Sequence, residues 1–278
     1  MPVLLGTILA ARDGYFASLR FLLALLGAIA IQAGTNLIND YYDHQKGADS
    51  PDSLGPSLVI QQGKLTANEV WFGGIAALAI GSLLGLILVL LCGWPILLLG
   101  IPSIAAAYFY TAAPISLAYV ALGEITVFIF MGPVIVLGAY YVNALHFSTA
   151  ALAASIPIGF LVAGILHANN IRDIESDRAH DKRTVATILG RGGANYELAV
   201  LDIAAYGSLI GFIAARILPW TALATLITAP RAIDELRIVF TEDSPKKLNV
   251  ALFRAVQLHM EFGLLLIVAI AIAWAIRV

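Results

Sequence analysis

The sequence predicts an all-α, polytopic membrane protein, and three observations predict it. Of its 278 residues 60% are hydrophobic and only 12% charged, with a mean hydropathy of +0.89. Soluble domains carry about 25% charged residues, so this chain needs lipid as its solvent. Its apolar runs are continuous and about 20 residues long, the length of a spanning helix. Barrel strands would instead alternate in polarity over about 10 residues.

Taken in order, the apolar stretches predict helices near 2–11, 16–38, 69–92, 95–110, 118–142, 149–171, 195–215, 217–229 and 256–276. That is about nine membrane helices, the first short for a span, in one domain over 1–278. Residues 1–11 lack the basic start of a signal peptide. Polar sequence collects at 39–68, 172–194 and 230–254. With nine helices these loops share one face and hold twelve of the sixteen Lys and Arg residues. The positive-inside rule then puts them at the cytoplasmic face of the inner membrane. The lone Cys92 lies in an apolar run and reads as an inert buried thiol. The net charge of −2 carries no electrostatic signal for nucleic acid, and none is expected as a partner. The sequence says nothing about oligomeric state.

A weak internal repeat is visible. One apolar helix runs into Asn36-Leu37-Ile38-Asn39-Asp40-Tyr41-Tyr42-Asp43, and a later one into Asn169-Asn170-Ile171-Arg172-Asp173-Ile174-Glu175-Ser176-Asp177. Basic residues, a Gly-containing turn and a new helix follow each. Two pseudo-repeated halves around a central cavity are a common membrane-protein plan.

Carboxylates at the ends of membrane helices are costly, and so they point to function. Asn39 and Asp43 are four apart, which puts them on one helical face; Asp173, Asp177 and Asp181 continue the same spacing. Facing stripes of this kind suit hard cations with oxygen ligands, and Mg²⁺ in particular, which fills its shell with water and phosphate oxygens. Lys46, Arg172, Arg178, Lys182 and Arg183 lie among the acids. Acids that grip a metal beside bases that neutralise phosphate are what a metal-bound diphosphate needs. A single charged loop would be read as solvated and orienting; two on one face with the same spacing are not. Asp49 and Asp52 sit in a Gly/Ser/Pro segment and read equally as turn residues. Tyr108, Phe109 and Tyr110 read either as rings that stabilise a cation or as an interfacial belt. Glu124 reads either as a contact to an acceptor hydroxyl or proton acceptor, or as a buried structural hydrogen bond. His167 reads as a packed, satisfied histidine, because Mg²⁺ prefers oxygen.

The paired motifs resemble those of the UbiA-type membrane prenyltransferase superfamily. Within it the chain looks most like the branch that prenylates 1,4-dihydroxy-2-naphthoate in menaquinone synthesis. Gly34–Asp43, Lys46-Gly47-Ala48-Asp49, Gly55-Pro56-Ser57, Pro114 with Leu117-Ala118-Tyr119, and Asn169–Asp177 with Lys182-Arg183-Thr184 carry the resemblance. It implies Mg²⁺-dependent transfer of a polyprenyl group from its diphosphate to an aromatic acceptor, in a helical bundle whose cavity opens sideways to lipid. It implies metal-diphosphate positions at Asn39, Asp43, Asp173 and Asp177, with Asn36, Asp40, Asp49 and Asp181 in the same cluster. Lys46, Arg172, Lys182 and Arg183 match its diphosphate contacts. Segments 44–64 and 178–192 are expected to fold over the site. Other acceptors known in the superfamily are homogentisate, chlorophyllide, haem and glycerol-lipids. An ion-coupled transporter is the alternative from a different class.

The chain departs from the pattern in three places. The Arg-Pro-rich start is missing, which implies a truncated first helix or a misassigned start codon. Leu58 stands where Arg is frequent, and Asp181 where Gly is usual before Lys-Arg-Thr.

Overall fold

The computed structural model describes residues 1–47, 54 and 57–276, and among them the chain is all-helical. The helices are α1 (Pro2–Arg12), α2 (Ser18–Gln45), α3 (Ala67–Cys92), α4 (Pro95–Phe109), α5 (Gly123–Ile129), α6 (Ile135–Ala144), α7 (Thr149–Arg172), α8 (Ile174–Ala179), α9 (Val185–Ala214), α10 (Ala229–Thr241) and α11 (Pro245–Ala275). A π segment, Phe130–Val134, joins α5 to α6, so that Gly123–Ala144 forms one span. Among the described residues six spans are long and apolar enough to cross a membrane: α2, α3, α5–α6, α7, α9 and α11. The shorter α1 and α4 are also apolar. Large aliphatic side chains face outward, Leu90 at 86% exposure and Ile227 at 74%. That surface is compatible with lipid and not with water.

Several boundaries differ from those hydropathy predicts. α2 runs on to Gln45, well past residue 38. The Asn39 side chain bonds Asp43 one turn on, and helical order ends only near Gly47, whose φ is +70°. α9 starts at Val185, not 195, because Thr184 and Thr187 form a reciprocal cap; Gly190 kinks it with φ +69°. The segment near 217–229 is a 3₁₀ stretch, Trp220–Thr228, and the polar loop expected at 230–254 is mostly helix. Pro230 and Pro245 start α10 and α11, where a proline's missing N–H costs nothing. Their Lys, Arg and Glu residues are good helix formers, which hydropathy cannot register.

The repeat takes a physical form. α2 packs on α3 and α7 on α9, and both second helices open on a threonine capping box, Thr66–Glu69 and Thr184–Thr187. The main core joins α1, α6, α7, α9 and α11 around Leu5, Leu9, Tyr140, Leu209 and Phe262. A second cluster, with Ile171, Ile174, Leu198 and Leu248, lies under the acidic end of α7.

The π segment crosses α7 at a very close approach. A Cβ on Gly132 would lie 2.7 Å from the Gly159 Cα. Backbone atoms at that distance cannot yield as a flexible side chain would. Gly132→Val is therefore expected to destabilise the chain by about 1–3 kcal/mol or more. Thermal unfolding in detergent checks this; an unchanged midpoint would show that the crossing can open.

Candidate active site

The first acid pair sits on the last two turns of α2. Asn39 donates from Nδ2 to Asp43 Oδ2 at 2.9 Å and to Thr111 Oγ1 at 3.2 Å. Asp43 is buried, and its Oδ1 accepts the Tyr119 hydroxyl at 2.7 Å. Lys46, just past the helix, donates to Thr111 O at 3.0 Å and Ser116 Oγ at 3.1 Å. Its ammonium stands 3.5 Å from the Tyr119 ring centroid, and Lys182 from the other half stands 5.4 Å from it. Tyr119 thus holds an acid of the first half and gathers a cation from each half around its ring.

The second set sits where α7 breaks into α8. Asp173 takes a bidentate bond from Arg172, Nε to Oδ1 at 2.7 Å and Nη2 to Oδ2 at 2.6 Å. The other Arg172 donors go to Asn169 Oδ1, Asn249 Oδ1 and Leu54 O, at 2.9, 2.7 and 3.4 Å. All five guanidinium N–H groups are used within the chain. Asp177 is buried, 3.4 Å from Lys182 Nζ through Oδ1, and its Oδ2 has no hydrogen-bond partner among the described residues. Burial pushes the Asp177 carboxyl up to about 6; Lys182 opposes this, and Asp173 and Asp43 add to it. Burial works against the Lys182 ammonium, but Asp177, Asp43 and Asp173 together raise it. Burial lowers the Lys46 ammonium, Asp43 pulls the other way, and Lys182 adds to the fall. The charge of Asp43 thus reaches Asp177 and Lys182, so the two acid sets face each other.

The halves are also tied through backbone. Ala121 N donates to Arg183 O at 2.7 Å and Arg183 N to Tyr119 O at 3.3 Å, a short bridge between loops 117–122 and 180–184.

The other predicted positions fall in different places. Asp40 faces Ser57 and Asp43. Asn36 is exposed and accepts from Gln32 at 3.1 Å. The Arg183 side chain is exposed and has no side-chain partner among the described residues. Asp49 lies outside the described residues. Asp181 does not continue the stripe of Asp173 and Asp177: α8 ends at Ala179, and Asp181 is exposed with φ +53°. That left-handed backbone is the reason a glycine would suit the position. Asp181→Gly is expected to stabilise the fold by about 0.5–1 kcal/mol, read as a raised midpoint of thermal unfolding. A lowered midpoint would show a role for the Asp181 carboxylate. The expected cover over 178–192 is helix from Val185 on.

Tyr108 bonds Tyr42 hydroxyl to hydroxyl at 3.2 Å within a ring cluster that includes Tyr41 and Trp71. Tyr110 lies inside the fold beside Glu124 and Asp43; burial, then those two charges, push its phenol upward. Glu124 is a knot between α5 and α7. Its Oε1 meets Asn170 Nδ2 at 2.9 Å and His167 Nδ1 at 3.1 Å, and His167 Nε2 meets Ala194 O at 2.9 Å. Both imidazole nitrogens thus face oxygen atoms, and Glu124 Oε2 has no partner among the described residues. Sequence reasoning missed Thr111, Ser116 and Asn249, whose types carry no motif and which only the fold brings to the acids; Asn169 stood in the second motif without a role.

The UbiA prenyltransferase family matches residues 1–258. The chain belongs to the UbiA prenyltransferase family. It is an integral membrane prenyltransferase by that membership, and the transporter reading falls away. Among its relatives is the 1,4-dihydroxy-2-naphthoate octaprenyltransferase of Bacillus subtilis, 32% identical over 99% of this chain and 88% of that one. The enzyme of the same description from Escherichia coli is 33% identical over 98% and 91%. The one from Mycobacterium tuberculosis is 35% identical over 84% and 78%. The fold matches the apo structure of a UbiA homologue from Aeropyrum pernix with a TM-score of 0.75, 19% identity and 96% of each chain covered. It also matches a UbiA homologue from Archaeoglobus fulgidus bound to DMAPP and Mg²⁺, with a TM-score of 0.60, 18% identity and 97% and 95% covered.

Proposed function

We propose that this UbiA-family protein transfers a polyprenyl group from polyprenyl diphosphate to 1,4-dihydroxy-2-naphthoate, with Mg²⁺, at the cytoplasmic face of the membrane. The observation that carries this reading is the meeting of Asn39 and Asp43 with Lys46, Lys182 and Asp177 around the Tyr119 ring. The naphthoate acceptor rests on the relatives, whose names specify it.

The donors fit Mg²⁺. They are oxygens, and Asp177 Oδ2 is buried with no partner among the described residues. No three acidic, His or Cys side chains among those residues converge on one point. The acids stand instead in two facing sets, which suits an ion that completes its shell with water and diphosphate oxygens. Asn39, Asp43, Asp173 and Asp177 would hold it. When bound, Mg²⁺ supplies the positive charge that makes diphosphate a good leaving group.

The chain's own residues do the rest. Lys46 and Lys182 turn their ammonium groups on the phosphate oxygens, and the exposed Arg183 adds a third cation. Arg172 holds Asp173 in place. The prenyl C1–O bond breaks with its electron pair going to diphosphate, and the allyl carbon develops positive charge near the Tyr108 and Tyr110 rings. A ring carbon of the acceptor then bonds to C1. Loss of the ring carboxylate as CO₂, or of a proton, restores aromaticity. Glu124, held by Asn170 and His167 through Oε1 and with Oε2 unpartnered among the described residues, is the group to take the proton the acceptor loses.

The test is an assay of the full chain in detergent with geranylgeranyl diphosphate and 1,4-dihydroxy-2-naphthoate, with Mg²⁺ and then with EDTA. Prenylated naphthalenediol formed only with Mg²⁺ is the expected result. Turnover with homogentisate or a glycerol-lipid acceptor and none with the naphthoate would overturn the acceptor. Full turnover in EDTA would overturn the role of the metal.

A further inference from the structure

A second polar site lies apart from the transfer site, in the groove between α9 and α10. Asp202 on α9 is 4% exposed and Glu235 on α10 is 1% exposed. Asp202 Oδ2 and both Glu235 carboxyl oxygens lack a hydrogen-bond partner among the described residues. The two acids face each other. Asn195 Nδ2 bonds Val239 O at 2.7 Å on one side of them, and Tyr206 bonds Thr228 Oγ1 at 2.6 Å on the other. Asp202 and Glu235 are neighbours across the α9–α10 contact. No salt bridge reaches either acid among the described residues; Arg231, on the same helix as Glu235, pairs with Glu261 at 3.4 Å.

Asp202 lines a cavity of about 390 Å³ with Tyr206, Gly207, Ile210, Ala232 and Ile233. The volume is in the range of small-molecule sites, and the walls are apolar with a polar end, as such sites are. The rim faces outward: Ile203, Ile210 and Ile233 are 69%, 47% and 58% exposed. A side chain at Gly207 would meet only open space.

An acid oxygen left without a partner in an apolar wall is costly, and a ligand group that can bond it removes the cost. A hydroxyl both donates and accepts, so it can bond a carboxyl oxygen in an apolar groove without bringing in a charge. We propose that the α9–α10 groove is a binding site for an uncharged amphiphile whose hydroxyl-bearing head meets Asp202, with Glu235 buried behind it, and whose apolar body lies along Ile210 and Ile233.

The test uses the full chain in detergent with its transfer site saturated by farnesyl thiodiphosphate and Mg²⁺. Tritiated farnesol is then titrated by equilibrium dialysis, with farnesylhydroquinone, farnesylamine and squalene as competitors. One bound farnesol is expected, weakened tenfold or more by Gly207→Leu, which fills the groove, and by the pair Asp202→Leu with Glu235→Met. Prenyl transfer by Gly207→Leu stays unchanged. Stronger competition by farnesylhydroquinone than by unlabelled farnesol identifies a quinol as the natural source, and the reverse an aliphatic alcohol; both support the site. Four results would overturn it: no farnesol bound, binding unaltered in the variants, squalene competing equally, or farnesylamine competing better than farnesol. Absent binding would show acids buried without a ligand; amine preference would show an ionised pair.

Discussion

Asp43→Asn is expected to lower kcat on the order of 100–1,000-fold, the scale seen when one group that stabilises transition-state charge is removed. Asp43 accepts from both Asn39 and Tyr119 through different oxygens, and its charge reaches Lys182 and Asp177. Asparagine keeps the shape. It replaces one accepting oxygen by an NH₂ group and removes the charge that faces the second acid set. The lost hydrogen bond costs about 1 kcal/mol of stability, so the variant should still fold. Steady-state turnover beside a thermal melt separates the two effects. A folded variant with wild-type turnover would remove Asp43 from the mechanism. Asp173→Asn should lower turnover in the same way from the other half, with a larger loss of stability because it leaves the buried Arg172 guanidinium without its carboxylate.

Arg172→Met is expected to be the most destabilising change at the site. The side chain is 3% exposed and spends every donor on the chain itself. Removing one partner of a buried pair costs about 3–5 kcal/mol. Asp173 keeps 28% of its side-chain exposure, which places the loss at the lower end of that range. Arg172→Lys keeps the charge but cannot span both carboxylate oxygens, so it should recover part of the stability and little of the turnover. A direct diphosphate contact would give another pattern: a raised KM for the diphosphate with an unchanged melt. That pattern would return Arg172 to the role its resemblance implies.

The membrane class and the acid motifs were legible because they depend on local features: continuous apolar runs, and Asn or Asp at spacings of four. The boundaries that hydropathy misplaced share one cause. At Asn39–Gln45, Val185–Ala194 and Ala229–Thr241 the helix is polar, and its signals are caps, i to i+4 bonds and proline starts. Asp181 shows the limit of spacing arguments, since a register of four holds only while the helix lasts. The partners of Asn39, Asp43 and Arg172 were not legible. Thr111, Tyr119 and Asn249 lie 72, 76 and 77 residues from the groups they serve, and only the packing of α4 and the loop after it against α2, and of α11 against α7, brings them near.

The short backbone bridge between loops 117–122 and 180–184 has a kinetic consequence. Tyr119 and Arg183 are hydrogen-bonded through main chain, so neither loop can swing outward alone without breaking that pair. One half therefore cannot release its grip on a departing anion while the other keeps hold. Loosening should be a single event with one rate, and relaxation dispersion at the Tyr119 and Lys182 amides should report a shared exchange constant. Two separate constants would show loops that breathe independently.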